Sequence, residues 1–136
     1  MPQMIFVNLP VKNLDKSVIF FKALGFSFNP QFTDETATCM VISDTIFAML
    51  LTHDKFASFS PKPITDTSQS IEVLTCLSRD SREAVDAMVK AAVAAGGSTY
   101  KEPQDYGFMY GHGFQDLDGH VWELMWMDPS AVESQS

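Results

Sequence analysis

The chain has 136 residues, 46% apolar and 19% charged, a globular usage that excludes a disordered tail or a fibrous repeat and leaves room for one domain or two small halves. Nine Lys and Arg against 17 Asp and Glu give a formal charge of −8, which repels phosphate backbones and anionic lipid, so neither nucleic acid nor membrane is an expected partner. Folding at this length buries roughly 68–70% of the unfolded surface, so any metal would serve function rather than hold the fold together.

In chain order, residues 4–11 (MIFVNLPV) are apolar and β-rich, and Asn13 offers an N-cap ahead of Leu14, Val18, Phe21 and Leu24 at helical spacing, with Gly25 closing the helix. Residues 26–32, 37–42 and 46–52 read as strands. Residues 54–70 carry Pro61, Pro63 and many Ser and Thr, a linker with one short helical turn near Phe56 to Phe59. Residues 71–77 read as a strand. Asp80 and Glu83 form a capping box for a helix with Val85, Met88, Val89, Ala92 and Val93 on its apolar stripe, stopped at Gly96-Gly97. Residues 98–101, 109–116 and 120–127 supply three more strands, and 128–136 is a frayed tail.

The same β-α-β-β-β order thus occurs twice. The expected fold is α+β, a single domain in which two modules, about residues 4–53 and 71–127, pair into a cupped mixed sheet with helices on its outer face. Cys39 and Cys76 sit in apolar runs without a C-x-x-C spacing, which predicts free buried thiols in a reducing compartment. No apolar run reaches the ~20 residues of a membrane span. The opening MPQMIFVNLPVKN lacks the charge pattern and cleavage site of a signal peptide, so the cytoplasm is the expected location.

Strand alternation says which side chains could line the cup. In 120–127 one face carries His120, Trp122, Leu124 and Trp126, the other Val121, Glu123, Met125 and Met127. The turn Asp116-Leu117-Asp118-Gly119 suits a bulged hairpin with Gly119 left-handed, which sets Gly113 opposite Glu123 and Gly111 opposite Met125. Glycines beside an inward carboxylate leave open volume, a candidate pocket. Glu72, Leu74 and Cys76 are expected on the same side, as are Phe6 and Asn8 from the first strand and Leu50 from the fourth. Glu123 and Glu72 are the candidate acid/base pair, with Phe6, Asn8, Leu50, Leu74, Gly111, Gly113 and Met125 as candidate ligand contacts. His112 is assigned to the helix side, His53 and His120 to the surface or rim, and Cys76 to packing. Tyr106, Phe108 and Tyr110 form a candidate lid or interface.

The runs VKNLDKSVIFF (11–21) and Leu24-Gly25-Phe26, with DLDGHVWE (116–123), resemble the opening and closing motifs of the vicinal oxygen chelate superfamily, the glyoxalase, bleomycin-resistance and extradiol-dioxygenase proteins. The likeness runs from about residue 4 to residue 127, and the chain especially resembles bacterial glyoxalase-like proteins described as predicted lactoylglutathione lyases. It implies a pocket for a small molecule, a homodimer, and either lyase-type turnover with Glu123 as acid/base or ligand sequestration without turnover. It also implies a divalent metal held by four side chains. Two of those positions match Glu123 and Glu72, or Ser70 after a shift, but the others fall on Phe6 and Leu50. Phenyl and isobutyl groups have no lone pairs, so no tightly bound cofactor is expected, only a weakly held divalent ion.

Overall fold

A computed structural model describes residues 2–133 of the chain, which divides between Asp66 and Thr67 into two compact units. The first contains β1 (Ile5–Val11), α1 (Leu14–Ala23), β2 (Ser27–Asn29), β3 (Ala37–Val41), β4 (Ile46–Thr52) and α2 (His53–Phe59). Its sheet order is β1-β4-β3-β2, with β1 parallel to β4 and the other pairs antiparallel. The Asn13 side chain accepts from Lys16 N at 3.0 Å and caps α1 as expected. Gly25 takes φ +103° to turn the chain out of the helix. Phe20, Phe21, Leu9, Val11, Met40, Ala48 and Leu50 are buried together as this unit's core.

The second unit contains β5 (Leu74–Ser78), α3 (Arg82–Ala94), β6 (Gln104–Asp105), β7 (Met109–Gln115), β8 (Val121–Met127) and α4 (Pro129–Glu133). Its order, β5-β8-β7-β6, repeats the first, again with the first strand parallel to the last. The core is Val85, Met88, Val89 and Ala92 of α3 with Phe114, Trp122 and Leu124 of the sheet. The fold is therefore α+β, two four-stranded mixed sheets with helices, and both halves follow the expected β-α-β-β-β order.

Several local expectations are corrected. Within 26–32 only Ser27–Asn29 pairs, because Pro30 has no N–H for the ladder and starts a 3-10 turn capped by the Asn29 side chain. The strand expected at 71–77 starts at Leu74, in register with Val121. Residues 71–73 would have to pair with the 116–120 turn, which offers no ladder, and Ile71 and Val73 stay exposed. Ser81, not Asp80, caps α3, its hydroxyl accepting from Ala84 N at 3.0 Å, and Val93 is 48% exposed rather than part of the stripe. The strand expected at 98–101 shrinks to one bridge, Ser98 with Gln115, and pairing resumes only at Gln104 beyond Pro103. Of the expected tail, Pro129–Glu133 is helical and residues 134–136 lie outside the described residues.

Candidate binding site

The hairpin that presents Glu123 is fixed by one buried carboxylate. Asp116 Oδ1 accepts from the backbone N–H of Asp118 at 2.9 Å and of His120 at 3.0 Å, and Oδ2 accepts from Trp122 Nε1 at 3.0 Å. Gly119 takes φ +84°, and Asp116 N donates to His120 O at 3.0 Å. Burial pushes the Asp116 carboxyl above the usual value, against the opposing pull of His120 and these donors. The register that follows is the expected one, Gly113 opposite Glu123 and Gly111 opposite Met125. His112 pairs with Leu124 on the other side of the strand, and its Nε2 lies 3.2 Å from Lys101 O.

Cys76 on β5 is the residue in register with Glu123. Glu123 is half-buried on a hollow of about 220 Å³ lined by Cys76, Tyr100, Lys101, Tyr106, Met109, Gly111, Glu123 and Met125 among others, smaller than the roughly 300–1,000 Å³ of sites for drug-sized ligands. The space beside Gly113 is filled, however. A Cβ on Gly113 would stand 2.3 Å from the Tyr100 hydroxyl, so Gly113 is the seat of the Tyr100 phenol. That hydroxyl is buried without a hydrogen-bond partner. Burial first, then the Glu123 charge and Cys76, push the phenol above its usual range, while burial and then Glu123 do the same to the Cys76 thiol.

Other sequence candidates sit elsewhere. Glu72 precedes β5 and meets His120 Nδ1 at 2.5 Å rather than Glu123, and His120 is 2% exposed, not at the surface or rim. Leu74 begins β5 and is exposed, as is Cys76, which was expected to be packed. In the first unit Phe6 stacks on Phe47 with ring centroids 4.9 Å apart. Asn8 is exposed, its side-chain amide donating to Phe6 O at 3.2 Å, and it lines a groove under α2 with Leu51, Phe56 and Phe59. Leu50 is corrected. β4 runs parallel to β1 with Phe6 opposite Phe47, Asn8 opposite Met49 and Leu9 opposite Leu50. Phe47 and Met49 therefore share the face of Phe6 and Asn8, whereas Leu50 is fully buried with Leu9. Tyr110, from the candidate lid, donates to Asp86 Oδ1 at 2.6 Å, which ties it to α3; that bond pushes its phenol up to about 12.

Tyr100 is the residue that sequence reading missed. Its one signal was Gly113 itself, a glycine in mid-strand, which marks close approach by another group. A divalent ion does not fit the donors present: Glu72 is engaged with His120, Phe6 and Leu50 carry no lone pairs, and among the described residues no three His, Cys, Asp or Glu side chains gather. Also among the described residues, no helix is long and apolar enough to cross a membrane.

A family model described as bleomycin resistance protein-like N-terminal matches residues 3–43. Among solved structures, the hypothetical protein SA1046 from S. aureus is 33% identical, with 93% of this chain and 95% of that one covered and a TM-score of 0.77. A glyoxalase/bleomycin resistance protein/dioxygenase family enzyme from Burkholderia phytofirmans is 20% identical over 93% and 99% of the two chains, with a TM-score of 0.76. The genomically encoded fosfomycin resistance protein FosX from Listeria monocytogenes is 17% identical over 96% and 97%, with a TM-score of 0.67. No curated protein matches the chain.

Proposed function

We propose that the chain is a member of the glyoxalase/bleomycin resistance/dioxygenase family, the vicinal oxygen chelate proteins, whose fold it shares, and that it binds a small, largely apolar molecule in the second unit's hollow with Glu123 as polar anchor and no tightly held metal. The observation that carries this reading is a half-buried carboxylate on a concave wall that includes Met109, Gly111 and Met125. Such a wall buries apolar ligand surface while one charged group fixes orientation. Lyase chemistry of the metal-dependent kind needs an ion to polarise the substrate oxygens, and the donors for one are not assembled. Binding without turnover is thus the first reading.

Acid/base turnover is the second reading, favoured by Tyr100 lining the same hollow as Glu123. Glu72 has no part in it, being paired with His120. Titration of a panel of aromatic and apolar compounds, followed by ligand-observed NMR, tests the site: Glu123→Gln is expected to weaken the best binder at least tenfold, and unchanged affinity overturns the assignment. Product formation from thiohemiacetals of 2-oxoaldehydes, abolished in Glu123→Gln, would establish turnover; saturable binding without product establishes sequestration. We also propose a homodimer. β1 and β5 are edge strands carrying exposed Ile5, Phe6 and Leu74, and sedimentation at twice the chain mass is the expected result.

A further inference from the structure

A buried hydroxyl without a partner costs free energy that a fold normally avoids, so its retention calls for an explanation. Tyr100 is such a group, and it lines the same hollow as Glu123. Gly113, the residue opposite Glu123, gives the phenol its seat by having no side chain. The carboxylate and the phenol therefore stand at one rung of the β7–β8 pair. Nothing tethers the hydroxyl, so the ring can shift toward a ligand without breaking a hydrogen bond.

The charges on the lining narrow the ligand. Glu123, Lys101 and His112 stand on the same lining, and Cys76 and Tyr100 are both pushed above their usual values by burial, which keeps them protonated and neutral near pH 7. A lining that carries both an acidic and a basic side chain is not of one sign, so sign alone does not select a cation or an anion. A carboxylate only accepts hydrogen bonds, and a protonated phenol can donate one. We propose that Tyr100 is the specificity-determining residue of this hollow, donating to a ligand carbonyl while Glu123 accepts from the adjacent N–H, so that the site takes small uncharged molecules bearing an amide or lactam edge. This rests on the reading of the Glu123 hollow as the binding site.

The test uses the full chain and two probes, 2-pyridone, which presents C=O beside N–H, and N-methyl-2-pyridone, in which the N–H is blocked. Affinities come from NMR titration of the wild type, Tyr100→Phe and Glu123→Gln. The expected result is that 2-pyridone perturbs the Tyr100 ring signals and binds at least tenfold more weakly to either variant. N-methyl-2-pyridone is expected to bind wild type at least tenfold more weakly and to be indifferent to Glu123→Gln. Without ligand, Tyr100→Phe should melt at the same or a higher temperature, because it deletes an unpaired buried hydroxyl and no hydrogen bond; a lower melting temperature with unaltered affinity would mark a structural role and overturn the inference. Equal affinity of Tyr100→Phe and wild type, or of the two probes, overturns it as well. If 2-pyridone fails to bind while apolar compounds still bind in a Glu123-dependent manner, the lactam-edge inference falls and the binding site stands. If no compound depends on Glu123, both fall.

Discussion

The two units share one topology and differ in what their sheets carry. β1-β4-β3-β2 and β5-β8-β7-β6 are the same arrangement, each with a helix between its first two strands and a parallel first-to-last pair. On the face of Phe6 in the first unit stand Phe47, Met49 and Asn8, large apolar groups with one amide. On the face of Glu123 in the second, Gly111, Gly113 and Cys76 stand beside Met125, and these small residues leave a hollow and a seat for Tyr100. Chemistry is thus decided by side-chain size on one face, because the backbone ladders are equivalent and place no functional group themselves.

The comparison is broken most severely through the cores. Phe20→Ala in the first unit and Trp122→Ala in the second each remove a ring that is 1% exposed, and each is expected to cost about 3–5 kcal/mol in urea unfolding. Trp122→Ala should stand at the upper end, since it also strips a donor from the buried Asp116 carboxylate. If one of the two cost nothing, the matching of the cores would be refuted. Next comes the glycine pair. Gly113→Ala places a Cβ 2.3 Å from the Tyr100 hydroxyl and 2.8 Å from the backbone oxygen of Trp122, and is expected to cost about 1–3 kcal/mol. Gly111→Ala meets only Leu124 O at 3.6 Å and should be close to neutral by the same measurement.

The units are also expected to respond to pH with opposite sign. Burial holds Asp116 above its usual 3.8, so its contribution is complete below that value and is lost as pH rises through the folded-state value. Asp34 in the first unit is held below 3.8 by the Thr36 hydroxyl and amide, so its contribution is present above that value and is lost as pH falls through the folded one. Urea unfolding between about pH 2 and 7 should therefore show Asp116→Asn flattening the slope above 3.8 and Asp34→Asn flattening it below. Identical profiles for both variants and wild type would remove both effects. The smallest expected change is at the thiols. Native Cys76 is exposed and Cys39 is buried, so iodoacetamide should label only Cys76. Glu123→Gln should speed that labelling severalfold near pH 8 by removing a charge that disfavours the thiolate.

The sequence by itself determined what depends on neighbours a few residues apart. Asn13 capping α1, Gly25 ending it and the 116–119 turn with Gly119 left-handed are local hydrogen-bond and steric requirements, so they were legible, and the turn in turn fixed Gly113 opposite Glu123. Strand extents were legible only where a partner strand extends equally far, which is why 71–73 and 98–101 failed as strands. Only tertiary structure decided the face of Leu50, because alternation gives two faces and only the register with Leu9 says which is buried. It alone also took Glu72 to His120 and brought Tyr100 onto Gly113. Those contacts join side chains far apart in the chain, and no short-range propensity specifies which distant group fills a given space.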